Sequence, residues 1–96
     1  MRPSEALTLY RTQIHEIARR HHVSGVRVFG SVLHGDDAPG SDLDLLVDTQ
    51  PGTTLFDLGG MQDELQTLLG MPVDVVTARD LPARFRDAVC HEARPL

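Results

Sequence analysis

The sequence contains no lysine. Its nine basic residues are all arginines, set against 14 acids for a net charge of −5. They gather toward the ends, as Arg2, Arg11, Arg19, Arg20 and Arg27, then Arg79, Arg84, Arg86 and Arg94. A footprint on a phosphate backbone needs clustered Lys and Arg, so a nucleic acid is not the expected direct partner. A small molecule or a protein fits this charge balance better. The single cysteine, Cys90, cannot form an internal disulfide and suits a reducing compartment. No apolar run approaches the ~18–20 residues that cross a bilayer. Met1-Arg2-Pro3-Ser4-Glu5 leads into a mixed-charge helical pattern rather than the apolar core of a signal peptide. The expectation is a cytoplasmic protein without a membrane partner. Its 41% hydrophobic and 24% charged residues are those of a globular chain. At 96 residues there is room for one core, hence a single domain over residues 1–96.

Hydrophobic spacing predicts the elements. Leu7, Tyr10, Ile14 and Ile17 recur at three- and four-residue steps, one stripe of a helix over Ser4–His22 with Ser4 as N-cap. Val26–Phe29 reads as a strand ending at Gly30, and Ser31–Gly35 as a single helical turn. Asp36–Gly40 has the composition of a loop. Asp42–Asp48 alternates as a second strand, with Leu43, Leu45 and Val47 on one face and acids on the other. After a turn at Gln50-Pro51-Gly52, Thr53 or Thr54 caps a helix that carries Leu55, Leu58, Met61, Leu65, Leu68 and Leu69 and stops at Gly70. Gly59-Gly60 within it points to close packing against another element. A third strand, Pro72–Thr77, and a helix from about Asp80 complete an α/β order. The first two strands are joined too tightly for a helical crossover, so a small mixed sheet flanked by helices is expected.

The acids carry the chemistry. Aspartate is depleted in strands, yet Asp42 and Asp44 sit two apart and project from one face. Unpaired carboxylates at that spacing raise each other's pKa. A Mg²⁺ ion would use the pair, since it takes oxygen ligands from one or two carboxylates, water and phosphates. The alternative is a capping Asp42 and a solvated Asp44. Gly30-Ser31 closes a strand and opens a turn, which frees backbone N–H groups for an anion. Read alone, it is equally a plain connection. Asp74 interrupts the apolar run Val73–Val76; such an acid is costly unless paired with an arginine or held by a metal. Asp36 and Asp37 read as solvated, Asp48 as a strand cap, and Arg84 and Arg86 as the wet face of the last helix.

Gly30-Ser31, ten residues, then Asp42-Leu43-Asp44 resembles the signature of the DNA-polymerase-β-like nucleotidyltransferase superfamily. The runs Phe29–Gly35 and Gly40–Val47, with Leu69–Thr77 and the closing Glu92-Ala93-Arg94-Pro95-Leu96, are similar to its minimal branch. The resemblance implies the nucleotidyltransferase fold, two Mg²⁺ ions and ATP as substrate. It places the metals on Asp42, Asp44 and Asp74, makes Asp74 the activator of the attacking hydroxyl, and gives the phosphates to Gly30 and Ser31. It further implies an antitoxin that transfers AMP to a tyrosine of a helical HEPN-type ribonuclease toxin. Two other readings remain: an antitoxin that neutralises its partner by binding alone, and a small-molecule nucleotidyltransferase completed by another subunit. Family members usually carry Arg where this chain has His34; a mostly neutral imidazole is a weaker phosphate ligand than a guanidinium fork.

Overall fold

A computed structural model describes residues 1–96. The N-terminal stripe forms two helices rather than one. Helix α1 spans Pro3–Leu9 and α2 spans Arg11–Arg20, with Tyr10 at φ −111° and ψ 20° between them. Leu7, Ile14 and Ile17 of the stripe are buried as expected. Ser4 is not the N-cap: that position falls to Arg2, with Pro3 at the first helical position, where its missing N–H costs nothing. The Ser4 N–H instead donates to the Asp37 carboxylate at 2.9 Å, which ties the 36–41 loop to the start of α1.

Strand β1 (Val23–Phe29) begins three residues earlier than its apolar core predicts, and β2 covers Leu43–Thr49. Helix α3 spans Leu55–Leu69. Thr54 caps it by accepting from the Asp57 N–H, while the Asp57 carboxylate accepts from the Thr54 N–H. Gly70 ends it in the left-handed conformation, φ 67°. Strand β3 (Val73–Val76), a 3₁₀ turn at Ala78–Asp80 and helix α4 (Ala83–Glu92) follow. A last strand, β4 (Arg94–Pro95), is too short to be seen in sequence.

The sheet order is β3-β2-β1-β4. β1 is antiparallel to both β2 and β4, and β2 is parallel to β3, so the sheet is mixed. Leu43, Leu45, Val47, Val26, Val28, Val73 and Val75 face one way and form a core with Ile14, Ile17, Met61 and Leu65. Leu46 is fully buried yet stands outside that core, on the opposite face. The sheet has two parallel crossovers. β2-α3-β3 and β3-α4-β4 step in opposite directions along the sheet, and a right-handed path for each puts α4 on the face that α3 leaves open. The starts of β2, β3 and β4 and the end of β1 then meet at one end of the sheet.

Of the two glycines inside α3, Gly60 bears out the packing expectation. A Cβ there would stand 2.9 Å from the His21 ring, which bonds Glu64 at 2.7 Å. Gly59 has open space around it.

Candidate active site

Strand pairing brings the acids together. In the β2–β3 register Asp44 lies directly opposite Asp74, and across β1 it lies opposite Phe29, the residue before Gly30. Like charges facing each other on adjacent strands destabilise a sheet. None of the chain's five ion pairs relieves Asp42, Asp44 or Asp74. The arginine partner considered for Asp74 is absent, and so is a cap made by Asp42, which lies exposed just before β2. Burial, the charge of Asp74 and the charge of Asp42, in that order, push the Asp44 carboxyl up to about 6. Asp44 and Asp74 are also within hydrogen-bonding reach of each other.

Gly30 adopts φ 77°, a conformation that side chains resist. Its missing side chain also has a local use, because a Cβ there would collide with Asp44 Oδ2. The glycine therefore seats a carboxylate against the turn. The turn itself is helix-like: His34 N–H donates to Gly30 C=O at 3.3 Å and Asp36 N–H to Ser31 C=O at 2.9 Å. The N–H groups of Ser31, Val32 and Leu33 and the Ser31 hydroxyl donate to nothing within the chain. Unsatisfied donors of this kind are what an anion would find there.

The acids fit a divalent cation as an open site. Nowhere do three or more His, Cys, Asp or Glu side chains close on one point as a complete ligand set would. Mg²⁺ does not require such a cage, because it keeps water and shares substrate phosphates. Three neighbouring carboxylates with no cation of the chain's own have the donor chemistry for it.

Other residues stand differently from their sequence reading. Asp48 is an ion-pair partner of Arg27 at 3.2 Å rather than a cap. Arg86 is not a solvated surface residue: it donates to the carbonyls of Ala78, Arg79 and Leu81 and locks the 3₁₀ turn to α4. Asp37 holds α1, and that hydrogen bond to Ser4 N–H keeps its carboxyl below the usual range. His34 reaches Glu92 at 3.3 Å, a pairing that no sequence pattern signals.

Residues 11–95 match the nucleotidyltransferase domain family. The chain belongs to that family. It is similar to the protein adenylyltransferase MntA of Thermococcus cleftensis, 32% identical over 77 residues that cover 80% of this chain and 78% of the relative. A solved structure described as a candidate minimal nucleotidyltransferase superposes with a TM-score of 0.84 at 43% identity, covering 97% of this chain and 95% of that one. A toxin–antitoxin pair solved with AMP-PNP shares the fold, with a TM-score of 0.72 at 20% identity over 88% of this chain and 69% of that one. The chain is thus a nucleotidyltransferase of the minimal type, with that family's mixed sheet flanked by helices. No helix is long and apolar enough to cross a membrane.

Proposed function

We propose that this nucleotidyltransferase, a single domain over residues 1–96, transfers AMP from ATP to a hydroxyl of a partner protein. The partner we infer is a helical HEPN-type ribonuclease toxin, which the chain neutralises as its antitoxin. One observation carries the catalytic part: Asp42, Asp44 and Asp74 gather beside the Gly30 turn without a cation of their own. The name of the Thermococcus relative supports protein as the acceptor, and the toxin–antitoxin pair with the same fold supports the partner.

Asp42 and Asp44 would hold Mg²⁺, with Asp74 as a further ligand. Mg²⁺ supplies charge neutralisation at the phosphates and at the leaving oxygen. The free N–H groups of Ser31, Val32 and Leu33, with the Ser31 hydroxyl, grip the phosphate tail. Asp74 accepts the proton of the attacking hydroxyl. That oxygen bonds to the α-phosphorus, the bond to the β-phosphate's bridging oxygen breaks, and pyrophosphate leaves. The chain positions rather than reacts covalently, so the acceptor must be presented by the partner.

Co-expression with the neighbouring open reading frame, followed by ATP, Mg²⁺ and intact mass spectrometry, tests this. The expected result is a mass gain of one AMP on the partner that is lost in Asp42→Asn. A stable complex with an unmodified partner would favour neutralisation by binding alone, a reading that the Glu92-occupied His34 supports.

A further inference from the structure

β3 lies at the edge of the sheet and pairs with β2 alone. Leu43 N–H donates to Pro72 C=O at 3.0 Å, so by the alternation of a strand the backbone polar groups of Asp74 also face β2. Those of Val73 and Val75 face outward, where an edge strand ordinarily leaves them unpaired. Here two side chains of α3 take both N–H groups. Val73 N–H donates to Gln66 Oε1 at 3.1 Å, and Val75 N–H donates to Gln62 Oε1 at 3.0 Å. Rise accounts for the match. Four helical residues climb ~6 Å and two strand residues ~6.6 Å, so glutamines one turn apart meet alternate strand amides. Asp74 is the one residue between the two held amides.

We propose that Gln62 and Gln66 are positioning residues of the acid site, clamping β3 on either side of Asp74 so that its carboxylate stays beside Asp44. The proposal rests on the role given to Asp74 above and names what keeps that role in place. Asp44 and Asp74 stand opposite each other on adjacent strands, where like charges destabilise the pairing. An edge strand of four residues has few bonds of its own to resist this. The glutamines tie it to a helix anchored in the core by Met61, Leu65 and Leu69, which fixes both its register and its twist. Mg²⁺ demands near-ideal ligand geometry, and a misplacement of about 1 Å can cost a reaction ~10²-fold. A loosened β3 is therefore felt at the acids. The Ser31–Leu33 turn follows β1, on the other side of β2, and keeps its free donors for the phosphates.

The full chain carrying Gln62→Met with Gln66→Met, or Gln62→Glu with Gln66→Glu, tests the clamp. Methionine keeps the length and helix propensity of glutamine but removes the acceptor oxygen, whereas glutamate retains it. In the methionine variant the Val73 and Val75 amides should exchange with deuterium about tenfold faster by NMR. Mg²⁺ affinity, by calorimetry without nucleotide, should fall by about tenfold, the scale of a lost hydrogen bond. AMP transfer should lose kcat to a similar extent while the KM for ATP stays within about twofold. The glutamate variant should restore all three in about 0.15 M salt, which largely screens its added charges. A merely structural pair would lower the melting point and leave Mg²⁺ affinity and kcat of the folded protein unchanged, and that result overturns the proposal. So does a loss that glutamate fails to restore, or an ATP KM that rises as far as kcat falls. Should the double methionine variant not fold, Gln62→Met and Gln66→Met singly are held to the same readings. A wild type that binds Mg²⁺ but transfers no AMP removes the transfer reading, and the Mg²⁺ affinities still decide the clamp. One that binds no Mg²⁺ removes both.

Discussion

Asp44 stands half-buried against two other carboxylates, and its energetics give a test of the site. Its carboxyl is raised from 3.8 to about 6 by burial and by its two aspartate neighbours. The folded protein therefore keeps a proton that the unfolded chain releases. As pH rises from about 4 to about 6, this residue lowers stability, and the loss is complete above the folded value. Asp37, Asp57 and Glu64 have lowered values and act in the opposite sense, losing stability as pH falls. The difference between wild type and Asp44→Asn isolates the one residue. Without divalent cation, Asp44→Asn is expected to match wild type near pH 4 and to melt higher at pH 7. Thermal melts across that range check it, and Mg²⁺ should raise the wild-type midpoint more at pH 7 than at pH 5, where protons compete for the ligand. Gly30→Ala works the same contact from the other side. A left-handed φ costs an L-residue about 1–2 kcal/mol, and the new methyl strikes the Asp44 carboxylate. The variant should lose at least that much in chemical denaturation and bind Mg²⁺-ATP more weakly. Equal stability would mean that the turn relaxes and that Gly30 serves only the ligand.

At the level of elements, legibility tracks how local the cause is. Helix α3 can be read at both ends because Thr54 and Gly70 act on their own backbone neighbours. β2 can be read by alternation, and Val73 and Val75 fix the side of Asp74. The break at Tyr10 is not legible, since the apolar spacing continues across it. Nor is the hold of Asp37 on Ser4, a hydrogen bond between residues 33 apart. Leu55 belongs by spacing to the apolar stripe of α3, yet it is 82% exposed with Phe56 at 91%. The paired glycines of α3 separate local from distant causes. Gly59 has free space, so Gly59→Ala should stabilise by about 1 kcal/mol through helix propensity alone. Gly60→Ala gains the same propensity but drives a methyl into the His21 ring and against its bond to Glu64. It should come out neutral or destabilising in urea unfolding. Equal gains for the two would show that His21 swings aside freely.

For the molecule as a whole, a strand of two residues has the largest consequence for its length. β4 covers the free edge of β1 and brings the end of α4 to the end of the sheet where the acids stand. Leu96 N–H donates to Val26 C=O at 3.0 Å, and His15 Nε2 meets Leu96 C=O at 3.1 Å, so the segment also ties the sheet to α2. No sequence pattern announces this, because two residues have no periodicity and Pro95 is a poor strand former away from an edge. Candidate acids are legible one by one, but their meeting depends on β2 lying parallel to β3. A chain stopped after Ala93 gives up those hydrogen bonds and uncovers β1, whose exposed N–H and C=O groups can then pair with another chain. Each hydrogen bond removed is worth about 0.5–1.5 kcal/mol. With the apolar packing of Leu96 also gone, the shortened protein should be less stable by on the order of 2 kcal/mol. That fits within the roughly 5–15 kcal/mol typical of a folded domain, so it should still fold while melting lower and self-associating. Denaturation and size-exclusion chromatography at several concentrations read both effects. A monomer with wild-type stability would mean that β4 lies on the sheet without holding it.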